Sequence, residues 1–125
     1  MHTEPKRKYD LIQRTQNFAK NTRSFIKNLK ITTSNTEDIR QLTRSSGSIA
    51  ANYIEANDAL SKKDFVYRLK ICRKESKECI LFLSIIDIGE STALDHDRIL
   101  LIQEATELMK IFGAIITKSE QSLQH

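Results

Sequence analysis

The pattern of apolar and polar residues divides the chain into four amphipathic segments separated by short breaks. In the first segment, from Tyr9 to about Leu29, apolar residues recur at intervals of three and four, which is the period of one α-helical face. The second segment ends near Asn57, the third runs to about Ile88, and the fourth opens at Asp95. Four such segments bury their apolar faces most simply against each other. The pattern therefore predicts an all-α protein, an antiparallel up-down-up-down four-helix bundle.

Local signals and composition support the same interpretation. Ser34 followed by Glu37 has the form of a capping box before the second helix, and Ser61 repeats the N-cap signal before the third. Gly89 suits the C-terminal end of the third helix. With only three Gly and one Pro in the chain, a sheet of many short strands is not expected.

The length of 125 residues fits one domain. We expect a bundle over residues 9–120, a flexible basic leader over 1–8 and a flexible tail over 121–125. The opening residues show no apolar signal segment, and the apolar run 79–88 is far shorter than the ~20 residues of a membrane-spanning helix. A cytoplasmic protein that does not enter a membrane is therefore expected.

The third helix carries a second apolar seam beside its core stripe. Ile71, Phe82 and Ile85 share a heptad-like spacing in which Glu75 and Glu78 are embedded. A helix that is apolar on two sides is buried on two sides. We predict that another copy of the chain covers this seam, the alternative being that a neighbouring helix of the same chain covers both stripes.

The non-core side of the second helix is a narrow stripe of small and charged residues that includes Arg44, Ser48 and Glu55. Such a stripe suits close contact with another helix. There, Arg44 is predicted to meet the carboxylate of Glu75 or Glu78, because a guanidinium pairs well with carboxylates. The alternative is an ordinary solvated face.

Positive charge is concentrated near the start of the chain, whose net charge is +4. Between positions 6 and 30 eight basic residues stand against a single acid, Asp10. The helical members of this group are predicted to bind RNA or DNA phosphates through counterion release; they are Lys20, Arg23, Lys27 and Lys30. The alternative is a solvated face, since no aromatic residue stands among these bases to stack on a nucleobase.

No pattern in the chain indicates catalysis. His2, His96 and His125 do not form the Glu-x-x-His pairs of di-iron bundles, and zinc-ligand spacing is absent. Cys72 and Cys79 are expected to be buried, reduced thiols, and no glycine-rich phosphate loop occurs. We expect no catalytic residue, no cofactor and no metal, and hence a protein that is not an enzyme.

One stretch resembles a known family. Residues 41–56, QLTRSSGSIAANYIEA, follow the pattern Q-x-x-R-x-x-x-S-I-x-x-N-x-x-E-G of four-helix bundle proteins encoded in intervening sequences of bacterial large-subunit ribosomal RNA genes. Ala56 departs from the usual Gly. The matching residues are Arg44, Ser48, Ile49, Asn52 and Glu55.

The resemblance implies an antiparallel four-helix bundle that assembles into a ring-like homopentamer. The chain is also similar to the accessory protein of diversity-generating retroelements, a basic pentamer that binds nucleic acid and a reverse transcriptase. The resemblance thus implies a non-enzymatic homo-oligomeric scaffold that binds RNA or DNA within a ribonucleoprotein. The alternative is a protein–protein adaptor ring that does not bind nucleic acid.

Overall fold

A computed structural model describes residues 7–123 and shows four helices connected by short turns. The helices are α1 (Arg7–Ile26), α2 (Thr33–Asn57), α3 (Lys62–Ile85) and α4 (Thr92–Leu123), and the described residues contain no strand. Residues 1–6 of the expected leader and residues 124–125 of the expected tail lie outside the described part of the chain.

The four helices form a closed bundle. Each helix packs against the next in the chain, and α1 closes on α4. Asn35 at the start of α2 hydrogen-bonds Asp87 just after α3, while Lys62 at the start of α3 bonds Ser122 near the end of α4. These contacts join opposite ends of successive helices, so neighbours are antiparallel. The predicted all-α four-helix bundle is confirmed.

The predicted inward faces form one core. Residues with almost no solvent exposure come from all four helices, and removing their apolar surface from water is the main favourable term in folding; the largest are Phe18, Leu42, Ile49, Leu69, Leu83, Leu108, Phe112 and Ile116. In α4, Leu101 is buried, whereas Ile102, Met109 and Ile115 are only half-buried.

Two small residues in the middle of α2, Ser46 and Gly47, face α1. Ser46 is fully buried, and the exposed guanidinium of Arg23 lies beside Gly47. Arg23 Nη1 donates to the Ala19 carbonyl at 3.1 Å, and its Nη2 lies 3.4 Å from the Thr43 carbonyl oxygen. These small residues let α1 of the same chain approach α2 closely.

The N-cap of α2 is Thr32, so the prediction of Ser34 was wrong. The Thr32 hydroxyl accepts a hydrogen bond from the Asn35 amide at 3.2 Å. Asn35 itself is buried and bonds both the Lys30 carbonyl and Asp87. α2 begins at Thr33, and this start places the Asn35 side chain on the inward side of the helix.

The other differences also concern helix ends. α1 ends at Ile26 rather than Leu29, because the next residues form tighter i→i−3 bonds. α3 ends at Ile85 rather than Ile88, since Asn35 takes both backbone groups of Asp87. α4 begins before Asp95: the Ser91 hydroxyl accepts from the Leu94 amide at 3.1 Å. The predicted Ser61 cap is confirmed, with a 3.0 Å bond from the Asp64 amide.

Candidate assembly and nucleic-acid surfaces

Most residues of the family pattern in residues 41–56 lie on the outer side of the contact between α2 and α3. The α3 positions Ile71, Glu75, Glu78, Phe82 and Ile85 share its heptad-like spacing. We call the α2–α3 face the set Arg44, Ser48, Asn52, Glu55, Arg68, Ile71, Glu75, Glu78, Phe82 and Ile85.

A single guanidinium joins two carboxylates at the centre of this face. Arg44 Nη1 lies 2.8 Å from Glu75 Oε2, and Arg44 Nη2 lies 3.3 Å from Glu78 Oε1. Glu75 is only 3% exposed, so its charge depends on this partner. The predicted meeting of Arg44 with these acids therefore occurs between helices of one chain, with one bond to each acid.

The two acids shift each other's ionisation in opposite directions. Burial opposes ionisation of Glu75, but hydrogen bonds to Glu78, Arg44 and Ser48 together hold its pKa below the ordinary value. The hydrogen bond to Glu75, and then burial, raise the pKa of Glu78. Glu78 Oε2 is inaccessible to solvent and lacks a hydrogen-bond partner among the described residues. A buried carboxylate oxygen without a donor disfavours the charged form, which agrees with the raised pKa of Glu78.

Two further residues continue the network, and the sequence analysis did not place them in the site. Asn52 Nδ2 donates to the Ser48 carbonyl and hydroxyl oxygens, both at 2.9 Å. Arg68 Nη1 donates to Asn52 Oδ1 at 3.1 Å. The four-residue steps from Arg44 through Ser48 to Asn52 were the signal that could have predicted this chain of bonds.

The apolar members of the α2–α3 face are not fully covered. Ile71 and Phe82 are half-buried, while Ile85 is 56% exposed. Glu55 is exposed at the other end of the face. The bundle therefore covers this seam only in part.

The predicted basic residues lie in α1 and in the turn that follows it. Lys20 of α1 and Lys27 and Lys30 of the turn are exposed, and no ion pair involving them occurs among the side chains of residues 11–122. Arg23 is exposed as well but rests against α2. Arg14 is different, because it bonds Glu104 on α4 at 2.7 Å and 2.9 Å. Lys20, Arg23, Lys27 and Lys30 form a basic surface over α1 and the turn after it, which we call the α1 patch.

The groups able to do chemistry are dispersed or inert. Burial raises the pKa of Cys72 and of Cys79 to about 12, so both thiols stay protonated at neutral pH. His96 is exposed on α4. No cluster of three potential metal ligands occurs in the described part of the chain. No helix within residues 7–123 is long and apolar enough to cross a membrane.

Comparisons with known proteins agree with this architecture. The chain matches the family model of the 23S rRNA-intervening sequence protein over residues 7–114. A crystal structure of a protein with unknown function from the S23 ribosomal protein family of Bacteroides thetaiotaomicron is 27% identical, with a TM-score of 0.72. The match covers 85% of this chain and 97% of that one. Comparison with curated proteins returned no match. On its sequence match and its fold, the chain belongs to the 23S rRNA-intervening sequence protein family.

Proposed function

We propose that the chain is a non-enzymatic homo-oligomeric scaffold. Its α2–α3 face joins copies of the chain, and the exposed bases of α1 contact RNA or DNA phosphates within a ribonucleoprotein. The observation that carries the proposal is the exposed Ile85 beside the half-buried Phe82 and Ile71, next to polar groups that already pair with each other.

The polar network makes this face suitable for burial between subunits. Arg44 bonds both Glu75 and Glu78, and Glu75 is already almost fully buried within the chain. Covering groups that already bond each other leaves the Arg44 charge paired, and an unpaired charge is the main penalty for burying ionic groups. The seam next to it supplies the apolar area.

Electrostatics support the nucleic-acid part. Lys20, Lys27 and Lys30 point to solvent, so their charge is available to phosphates. An oligomer repeats the patch in every subunit, which raises avidity for a long polyanion. The family's name refers to ribosomal RNA intervening sequences, which fits an RNA context.

Light scattering tests the assembly. We expect a particle of several times the 14.4 kDa chain mass. The mass should be five times that of one chain if the protein is a pentamer like the proteins it resembles. Ile85→Asp should lower the mass, because it places a charge in the apolar seam. Leu60→Asp is the matched control, since Leu60 is 100% exposed in the turn between α2 and α3. A monodisperse wild-type monomer at micromolar concentration would refute assembly.

Fluorescence anisotropy with mixed-sequence RNA and DNA tests the second part. Changing Lys20, Arg23, Lys27 and Lys30 together to Glu should weaken binding and flatten its salt dependence. Lys20→Arg, Lys27→Arg and Lys30→Arg form the control that keeps the charge. Unchanged binding by the Glu variant would show that the α1 patch is not the binding surface.

A protein–protein adaptor is the second candidate. It is favoured by a groove of about 520 Å³ between α1 and α4, where Leu100 is exposed beside Asn17 and Asn21. An oligomer that binds neither RNA nor DNA at low salt would support the adaptor over the nucleic-acid scaffold.

A further inference from the structure

The outward side of α3 carries a second basic surface. Four lysines and one tyrosine recur at intervals of four and three residues, and all five are exposed. This spacing places them on one side of the helix. We call the α3 lysine stripe the set Lys63, Tyr67, Lys70, Lys74 and Lys77.

The α3 lysine stripe lies on the outer side of α3, between α4 and the α2–α3 face. Lys70 Nζ lies 3.1 Å from Glu120 Oε2 on α4. Arg73, one helical turn further, lies next to Gly113 of α4. On the other side, Tyr67 contacts Arg68 and Lys74 lies near Glu78, and both Arg68 and Glu78 belong to the α2–α3 face. The stripe therefore borders the candidate assembly face on one side and α4 on the other.

Most of the charge in the stripe is free to meet an anion. Among the side chains of residues 11–122, Lys70 is the only one of the four lysines with an ion pair. Lys63, Lys74 and Lys77 span fourteen positions, about 21 Å at 1.5 Å per residue. A phosphate backbone lying along α3 would meet these ammonium groups in turn and release counterions.

Tyr67 supplies the aromatic group that α1 lacks. Its side chain is 58% exposed, and the Arg68 guanidinium lies over the ring with Cζ 5.9 Å from the centroid. Arg68 is itself held by Asn52 Oδ1 at 3.1 Å. The ring is therefore oriented by a cation on one side, and its open surface can stack on a base.

A shallow cleft of about 500 Å³ adjoins the ring. It is lined by Lys63, Val66, Tyr67, Lys70 and Glu120. This size lies within the range of small-molecule pockets. Val66 and Tyr67 give the cleft an apolar wall for a flat base, and Lys63 stands beside it to meet a flanking phosphate, whereas Lys70 pairs with Glu120.

We infer that the α3 lysine stripe binds single-stranded RNA or DNA, with the lysines on phosphates and Tyr67 stacked on a base. The inference rests on the proposed nucleic-acid function and adds a second site to it. A single strand is required because a base in a duplex is already stacked on its neighbours and cannot reach Tyr67.

Tyr67 variants provide the sharpest test. A labelled single-stranded RNA of mixed sequence and the same RNA annealed to its complement are compared by fluorescence anisotropy. Tyr67→Ala should weaken single-strand binding by about five- to a hundredfold, the loss of one stacked base, and leave duplex binding unchanged. Tyr67→Phe keeps the ring and should bind as the wild type does. No effect of Tyr67→Ala, or an equal effect on duplex, would overturn the inference.

The lysines are tested by salt titration. Replacing Lys63, Lys74 and Lys77 together by Gln should reduce the slope of log K against log salt by about 2, at about 0.7 per single-strand phosphate contact. The triple Arg variant should retain the slope. An unchanged slope in the Gln variant would overturn the inference.

The α1 variant separates the two proposals. If α1 charge reversal abolishes binding and the α3 variants do not weaken it, only the α3 site is refuted. If wild type binds neither RNA nor DNA, the proposed nucleic-acid function fails together with this site.

Discussion

Asn35 connects three parts of the bundle through one side chain. It is 1% exposed, and its Nδ2 donates to the Lys30 carbonyl at 3.1 Å and to the Asp87 carbonyl at 2.8 Å. Its Oδ1 accepts from the Asp87 amide at 3.1 Å. The side chain thus joins the α1–α2 turn to the end of α3, and both backbone groups of Asp87 depend on it.

Replacing this residue should be costly. Asn35→Ala leaves two backbone groups of Asp87 without partners and should lower the free energy of unfolding by about 2–3 kcal/mol. Urea unfolding followed by circular dichroism measures the change. Asn28→Ala is the control, because Asn28 makes one exposed bond to the Ser24 carbonyl, and it should cost less than about 0.5 kcal/mol. Equal losses would show that the Asp87 bonds contribute little.

The opposite pKa shifts of Glu75 and Glu78 make stability depend on pH in two opposite ways. The pKa of Glu75 is lowered in the folded state, so its contribution is present above the ordinary value of 4.5 and is lost as pH falls. The pKa of Glu78 is raised, so its contribution is present below 4.5 and is lost as pH rises through the folded value. The charges that face the pair are Arg44 of α2 and Lys74 of α3.

Glu78→Gln tests the raised pKa of Glu78, because the amide stays uncharged at every pH. Relative to wild type, this variant should gain stability as pH rises from 4.5 through the folded pKa of Glu78. Glu75→Gln should behave in the opposite way, since it removes the charge that pairs with Arg44. Urea unfolding at a series of pH values gives both curves. A Glu78→Gln curve parallel to the wild-type curve would show that the pKa of Glu78 is not raised in the folded state.

At the scale of the helices, the sequence predicted the elements and their core faces but not their ends. A helical face is specified by many residues at once, so the spacing along α2 and α3 was sufficient. The end of α3 is instead decided by Asn35, a residue 52 positions from Asp87, and no local pattern contains that contact. Short-range capping rules therefore favoured Ser34 where the structure uses Thr32.

The residues of the candidate site could be predicted from the sequence, but their arrangement could not. The motif residue Arg44 and the acids Glu75 and Glu78 were named from spacing, and they do meet. Their pairing inside one chain depends on how α2 and α3 pack, which periodicity does not specify. The α3 lysine stripe shows the 3–4 spacing plainly, but acids on other sides of α3 hide it in a count of net charge.

Two glycines lie inside helices, where replacement by alanine is expected to raise stability. Gly47 lies within α2, where an added Cβ would meet the flexible tip of Arg23 at 3.2 Å. That tip can move, so Gly47→Ala should raise stability by about 0.5–1 kcal/mol. Gly113→Ala, with Arg73 Cδ at 4.0 Å, is the uncrowded control within α4 and should do the same.

Gly89 should respond in the opposite direction. It lies in the α3–α4 turn with φ of 65°, a left-handed conformation that strains a residue with Cβ. Gly89→Ala should lower stability by about 1 kcal/mol. Thermal unfolding of the three variants measures the effects. A loss of stability in Gly47→Ala alone would mean that Arg23 cannot yield and that its contact with α2 is rigid.

At the scale of the whole molecule, the contacts between neighbouring helices differ in how closely the helices pack. α3 packs extensively against both α2 and α4, whereas α1 and α4 meet less closely and leave a groove between them. The α3 helix is therefore the structural centre of the bundle, with the candidate assembly seam on its α2 side and the lysine stripe on its outer side. Stability and assembly should consequently be coupled through α3.

This coupling predicts that the melting temperature depends on protein concentration. If copies share the α2–α3 face, only the folded chain assembles, and mass action stabilises it by about 1 kcal/mol per chain for each tenfold rise in concentration. For a chain of this size that corresponds to roughly 3–5 °C. Calorimetry over a hundredfold range measures the shift. Ile85→Asp should remove the dependence, while Leu60→Asp should keep it. A melting temperature that is constant for wild type would place the seam of Ile71, Phe82 and Ile85 outside any interface between copies.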